Sequence, residues 1–252
     1  MSFDVAADAY GRFMGRYSEP LAVPFAEHAG IGPGQRVLDV GCGPGALTGE
    51  LVRRCGAEAV AAVDPSPPFV EAVRARCPGV DVHPGTAEQL PFEDHRFDAT
   101  LAQLVVHFMP DPVAGLASMR RVTRPGGTVA ACVWDLMGGT GPLATFSRAV
   151  HDVDPEAPGE KALPGGRRGH LEELYHQAGL RDVEAVTLTV TVDYQDLEEW
   201  WAPYTLGVGP AGDYVAGLDP ERRDALRNRC AELLGPGPFQ VEASAWSVRG
   251  RA

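Results

Sequence analysis

The sequence predicts an α/β chain built on a doubly wound, mostly parallel seven-stranded sheet, with an antiparallel last strand and helical lid insertions. Three observations predict it. From Arg36 to Trp134 short apolar runs alternate with helical stripes, the rhythm of strand–helix–strand units. The runs are continuously apolar, as strands covered on both faces are. At the other end Phe239, Val241, Ala243 and Ala245 alternate with Gln240, Glu242 and Ser244, the two-residue period of an antiparallel strand.

The elements follow in order. Residues 1–34 read as an N-terminal helical cover. Phe13, Met14, Tyr17, Leu21, Val23 and Phe25 are helix material, expected to break at Pro20 and Pro24. Residues 35–135 read as the core. Val37–Val40 is the first strand, and residues 46–55 are its helix, stopped by Gly56. Ala59–Val63 is the second strand, ending at Asp64. Ser66-Pro67 is expected to cap the next helix, whose stripe is Phe69, Val70, Val73 and Cys77. Val80–His83 and Phe97–Val106 are the third and fourth strand regions. Asp111-Pro112 opens a helix carrying Leu116, Met119 and Val122. Arg124-Pro125-Gly126-Gly127 is a turn before the strand Thr128–Trp134.

Beyond Trp134 the rhythm breaks. Residues 136–168 and 195–236 are rich in Gly and Pro and read as lid or substrate insertions. The first holds one helical piece near 142–152, the second two pieces at Asp196–Trp201 and Pro220–Leu234 around a loop. Residues 169–194 and 237–252 supply the last sheet elements, all within a single domain of 252 residues.

Composition narrows the partners. A net charge of −12 disfavours nucleic acid and anionic membranes, which would repel it. The cysteines (Cys42, Cys55, Cys77, Cys132 and Cys230) include no C-x-x-C pair, so reduced thiols are expected rather than disulfides or zinc. Asp4 and Asp8 stand where a signal peptide would be basic and then apolar, and no apolar run approaches the ~18 residues of a membrane span. The expectation is a cytoplasmic protein. His151, Asp152 and Asp154 lie close together but lack a second ligand pair, so no metal is expected.

Val37-Leu38-Asp39-Val40-Gly41-Cys42-Gly43-Pro44-Gly45 carries the chemistry. A strand breaks into glycines and a helix follows, so main-chain N–H groups and a helix N-terminus face an incoming ligand. The loop reads as G-x-G-x-G through Gly45, or as the looser dinucleotide pattern through Ala46. Asp64, nineteen residues after Gly45, can accept from both hydroxyls of a ribose; its alternative is a charge at the N-terminus of the following helix.

These residues resemble the first motif of the class I S-adenosylmethionine-dependent methyltransferases, a Rossmann-like family. Gly85-Thr86-Ala87-Glu88-Gln89-Leu90-Pro91-Phe92 is similar to that family's segment after the third strand. Phe97-Asp98 with residues 104–111 is similar to its fourth-strand region, and residues 121–127 to the turn before its fifth. The resemblance covers about residues 36–135. It implies S-adenosylmethionine as cofactor, with Gly41, Gly43 and Gly45 against the methionine portion and Asp39 near its ammonium. It implies Asp64 on the ribose, and Thr86, Ala87 and Glu88 beside the adenine. Thr86 stands where many relatives carry Asp. Gln103 is expected near the methionine end, and Arg16 and Tyr17 over the cofactor, Arg16 suiting its carboxylate.

His107 is the candidate general base, expected near neutral pKa, with packing as its alternative. Trp134, Trp200, Trp201, Tyr204 and Tyr214 are candidate pocket walls or core. The expected activity is methyl transfer to a small-molecule acceptor by direct displacement. The alternatives are an NAD-dependent oxidoreductase, suggested by Ala46 and Asp64, and a cofactor-binding module without catalysis.

Overall fold

A computed structural model describes residues 11–157 and 163–252. Asp4 and Asp8 lie outside them. Seven strands form one sheet: β1 (Val37–Val40), β2 (Val60–Asp64), β3 (Asp81–Pro84), β4 (Phe97–Gln103), β5 (Thr123–Trp134), β6 (Arg181–Tyr194) and β7 (Phe239–Arg251). Their order is β3-β2-β1-β4-β5-β7-β6. β1 to β5 pair in parallel, and β7 runs antiparallel between β5 and β6.

The helices are α1 (Arg16–His28), α2 (Ala46–Cys55), α3 (Pro67–Arg76), α4 (Pro112–Val122), α5 (Ala144–Val153), α6 (His170–Gln177), α7 (Leu197–Trp201), α8 (Gly209–Gly217) and α9 (Pro220–Leu234). β5 shows why its run is continuously apolar. Ala130, Cys132 and Trp134 join one core with α1, α2 and α5, while Val129, Ala131 and Val133 join another with α4 and α6. Both faces are covered, as parallel strands require.

Three elements differ from the sequence expectation. α1 runs unbroken through Pro20 and Pro24. Pro20 is exposed and Pro24 half-buried, so the lost amide bonds fall toward solvent, while Leu21, Ala22, Phe25 and Ala26 are fully buried on the other side. Burial of that face outweighs the proline cost. The Arg124–Gly127 turn is a bulge inside β5: Phe97 pairs with Thr123, but Ala99 pairs with Thr128. The loop expected between α7 and α9 contains α8, whose sequence Gly-Pro-Ala-Gly-Asp-Tyr-Val-Ala-Gly has little helical character to read. Ser66 sits at the N-cap of α3 without the side-chain bond expected of it, whereas Asp111 caps α4 by accepting from the Ala114 N–H at 3.0 Å.

Candidate cofactor and methyl-transfer site

The site gathers at the C-terminal ends of β1, β2 and β4, where an open parallel sheet offers its crevice. β1 ends and the chain turns through Gly41 (φ 70°), Gly43 (φ 52°) and Gly45 (φ 94°), conformations that L side chains avoid. Gly41 is the tightest: a Cβ there would lie 2.5 Å from the Val105 side chain. Gly43 is the open one, since a Cβ there meets nothing within 4 Å. The loop is anchored below by the Gly41 and Cys42 N–H groups, which both donate to the Val63 carbonyl at 2.7 and 3.0 Å.

Asp64 ends β2 and faces the loop. Its Oδ2 accepts from the Gly43 N–H and its Oδ1 from the Ser66 N–H, both at 2.8 Å. Burial pushes its carboxyl above the ordinary range, and these two N–H donors pull it back. The carboxylate thus fixes the glycine loop and stays at its rim. Asp39 is deeper, 1% exposed, and Thr48 Oγ1 donates to its Oδ2 at 2.6 Å. Desolvation raises this carboxyl to about 7, against the hydrogen bond from Thr48. Thr48 was not singled out from the sequence. A threonine directly after Leu47 and three residues before Leu51, on the apolar side of α2, was the available signal.

Of the residues after β3, Ala87 is buried, Thr86 is exposed without a side-chain cap bond, and Glu88 is half-buried. Glu88 Oε1 accepts from the Asp111 N–H at 3.4 Å. Gly115 of α4 comes close beneath: a Cβ on it would sit 3.3 Å from that of Ala87.

Gln103 ends β4, and its Nε2 donates to the Ser18 carbonyl of α1 at 2.9 Å. Its buried Oε1 has no partner. Leu104 follows with φ 62°, a left-handed turn for a bulky side chain, and takes the chain out of the strand. His107 then lies in the turn Val106–Phe108, 9% exposed, its ring 3.9 Å from that of Phe108. The near-neutral pKa expected of it is corrected: burial lowers it to about 4, and its buried Nδ1 has no partner.

Arg16 and Tyr17 have partners within the protein. Arg16 Nη2 reaches Glu199 Oε1 at 2.7 Å and the Asp193 carbonyl at 3.2 Å, with its guanidinium over the Tyr194 ring. Tyr17 is 3% exposed and accepts from the Tyr194 hydroxyl at 2.8 Å. The structure therefore turns both toward β6 and α7. Trp134, Trp200, Trp201 and Tyr204 are buried in one aromatic core with Phe13 and Phe146, and Tyr204 stacks on Phe146 at 4.5 Å. Tyr214 is half-buried and donates to Asp154 Oδ2 at 3.2 Å. A cleft of about 940 Å3 opens beside the loop, lined by Pro44 and Ala46 together with Arg16, Arg76, Pro203 and Leu206. Among the described residues no group of three or more His, Cys, Asp or Glu side chains could hold a metal, and no helix is long and apolar enough to cross a membrane.

The donor set fits an amino-acid end joined to a ribose. Gly43 leaves room for close approach, Asp64 offers an acceptor at the rim, and Gln103 Oε1 is a buried acceptor still unpaired. Comparisons with known proteins agree. Residues 38–131 match the family model described as a methyltransferase domain. An uncharacterised methyltransferase of Mycobacterium tuberculosis (strain H37Rv) is 38% identical over 135 residues, 54% of this chain and 52% of the relative. An uncharacterised protein in transposon Tn4556 of Streptomyces fradiae is 37% identical over 238 residues, covering 87% of this chain and 63% of the relative. The chain thus spans about half the length of its mycobacterial relative. A geranyl diphosphate methyltransferase solved in complex with S-adenosylmethionine has the same fold, with TM-score 0.53 and 18% identity over 94% of this chain and 87% of that one. By the family match, the sheet order and the glycine loop, residues 38–131 form a methyltransferase domain with the class I fold.

Proposed function

We propose that the protein binds S-adenosylmethionine and transfers its methyl group to a small-molecule acceptor by direct displacement. The observation that carries this is the Asp64 carboxylate held by Gly43 and Ser66 N–H groups at the rim of a positive-φ glycine loop. In this reading Asp64 takes the ribose hydroxyls, and Gly41, Gly43 and Gly45 admit the methionine portion. Gln103 Oε1 and Asp39 face its ammonium, and Thr86, Ala87 and Glu88 flank the adenine. Bound S-adenosylmethionine supplies an already activated methyl group.

The protein's own task is then alignment and exclusion of water. No strong base is required of it for a nucleophile already unprotonated. His107 is neutral over the physiological range because its pKa is about 4. It can accept a proton only with a weak driving force, so it serves better to orient an acceptor than to deprotonate one. Arg16 and Tyr17 shape the cover over the site through β6 and α7 rather than by an ion pair to the cofactor. The acidic balance of the chain supports a small-molecule acceptor over nucleic acid.

Calorimetric titration with S-adenosylmethionine and, separately, with NAD tests the cofactor. Binding of the first and not the second is expected, and the reverse overturns the proposal. Asp64→Ala leaves two N–H groups without their acceptor and removes the ribose contact. It should weaken S-adenosylmethionine binding by about 10- to 100-fold. Unchanged affinity refutes the ribose role. Turnover across a panel of phenols, amines and thiols, followed by labelled methyl transfer, separates an enzyme from a binding module.

A further inference from the structure

The sheet has two edges, and they are built differently. The β3 edge is only the four residues Asp81–Pro84. It ends in proline and carries Asp81 bound by both His83 (2.6 Å) and Arg96 (2.9 Å). Short length, charge and proline are the usual means of blocking strand addition. The opposite edge, β6, has fourteen residues. From Ala185 to Val192 it reads Ala-Val-Thr-Leu-Thr-Val-Thr-Val, with no charge, no proline and no glycine. Most of this run is exposed, and Val186 is 41% exposed. The strand pairs with β7 on one side, residue by residue from Glu184↔Arg249 to Tyr194↔Phe239. No described residue hydrogen-bonds its outer edge between Glu184 and Val192. Arg16 reaches only the Asp193 carbonyl, at the far end.

We propose that β6 is a docking edge for a second copy of this chain, paired antiparallel across a two-fold axis so that the sheet continues from one copy into the other. Charge supports this occupant and this direction. The first end of the β6–β7 hairpin gathers Arg181, Arg249 and Arg251 against Asp182 and Glu184. The other end carries Asp193 and Glu242 beside the paired Arg16 and Glu199. One end is net basic and the other net acidic. Antiparallel self-pairing sets the basic end of each copy against the acidic end of its partner, whereas parallel pairing would stack like on like. A two-fold contact needs a self-complementary strip, and a strand with opposite charge at its two ends is one. The uncharged middle provides main-chain bonding and side chains of high strand propensity. A strip this narrow belongs with small, reversible interfaces.

The test is sedimentation velocity of the full chain from about 5 to about 200 µM, without added cofactor. The expected result is a shift with concentration from monomer toward twice the monomer mass. Val186→Lys puts a charge into the uncharged strip of each strand, opposite an uncharged residue of the other copy, and should weaken self-association by about tenfold or more, at unchanged circular dichroism. Thr187→Lys, also on an exposed position, is the second variant should the first fail to fold. Hydrogen exchange should show protection of residues 185–192 rising with concentration. A chain that stays monomeric throughout, or lysine variants that dimerise as tightly as the parent, overturns the proposal. So does concentration-dependent protection confined to another surface.

Discussion

The two halves of this sheet treat their strands differently. In the parallel half β1, β2 and β4 are buried almost throughout and end in loops where polar groups are held at fixed positions: Asp39 by Thr48, Asp64 by Gly43, Gln103 by Ser18. β6 and β7 form an antiparallel hairpin. One face carries the aromatic core under α7 and α8, and the other is covered by α6 around Val248 and is exposed along Ala185, Thr187, Thr189 and Thr191. The parallel half must send its chain away at the end of every strand, and each exit is a place where backbone can meet a ligand. The hairpin half returns on itself and provides support. Damage to the first half should therefore appear in binding, and damage to the second in stability.

The largest effect is expected from Gly41→Ala. The new Cβ would sit 2.5 Å from Val105 on a backbone with φ 70°. Strain and overpacking together should reduce S-adenosylmethionine affinity by about 100-fold or more, read by calorimetry. Trp200→Ala is its counterpart in the hairpin half. Trp200 is 1% exposed within the aromatic core, and its loss should lower unfolding free energy by about 3–5 kcal/mol in urea titration. The folded fraction should bind the cofactor within about twofold of the parent, because the Trp200 side chain packs in the aromatic core rather than against the glycine loop. A large affinity loss in that variant would erase the contrast between the halves.

A third prediction sharpens the contrast inside the parallel half. Asp39 rises from 3.8 to about 7 on folding, so its contribution is present below about pH 4 and is lost as pH rises through 7. His107 falls from 6.5 to about 4, so its contribution is present above pH 6.5 and is lost as pH falls through 4. The two slopes oppose each other, each on the order of 3–4 kcal/mol at most. The parent protein should show a shallow net profile between them. Asp39→Asn should leave stability falling toward acid, and His107→Gln should leave it falling toward neutral pH. Denaturant titrations across pH 4–7 check both.

The smallest effects compare two helix starts. Asp111→Ala removes a cap bond to Ala114 and should cost about 1 kcal/mol. Ser66→Ala removes no such bond and should stay within about 0.5 kcal/mol.

What could be read from the sequence follows the same division. The glycine loop and Asp64 were legible because their conformations and chemistry restrict which residues can stand there. The parallel character of β1 to β5 was legible because apolar run and helix alternate, whereas their order in the sheet was not. Gln103 was placed at the right strand end, but its bond to Ser18 spans 85 residues and leaves no local trace. The low pKa of His107 depends on burial by the fold, which the run Val-Val-His-Phe does not disclose. Pro20 and Pro24 pointed to a break that tertiary packing overrode. Helix α8, with glycine at three of its nine positions, had no stripe to find. The aromatic residues were visible as a group, and only packing shows that they fill a core.

The bond between Asp64 and Gly43 also bears on timing. It joins the end of β2 to the middle of the glycine loop, so the loop is already ordered when the chain folds. Its conformational entropy is spent before any ligand arrives. Cofactor association should then proceed without a slow loop-ordering phase, as a single exponential whose rate rises linearly with ligand concentration in stopped-flow mixing.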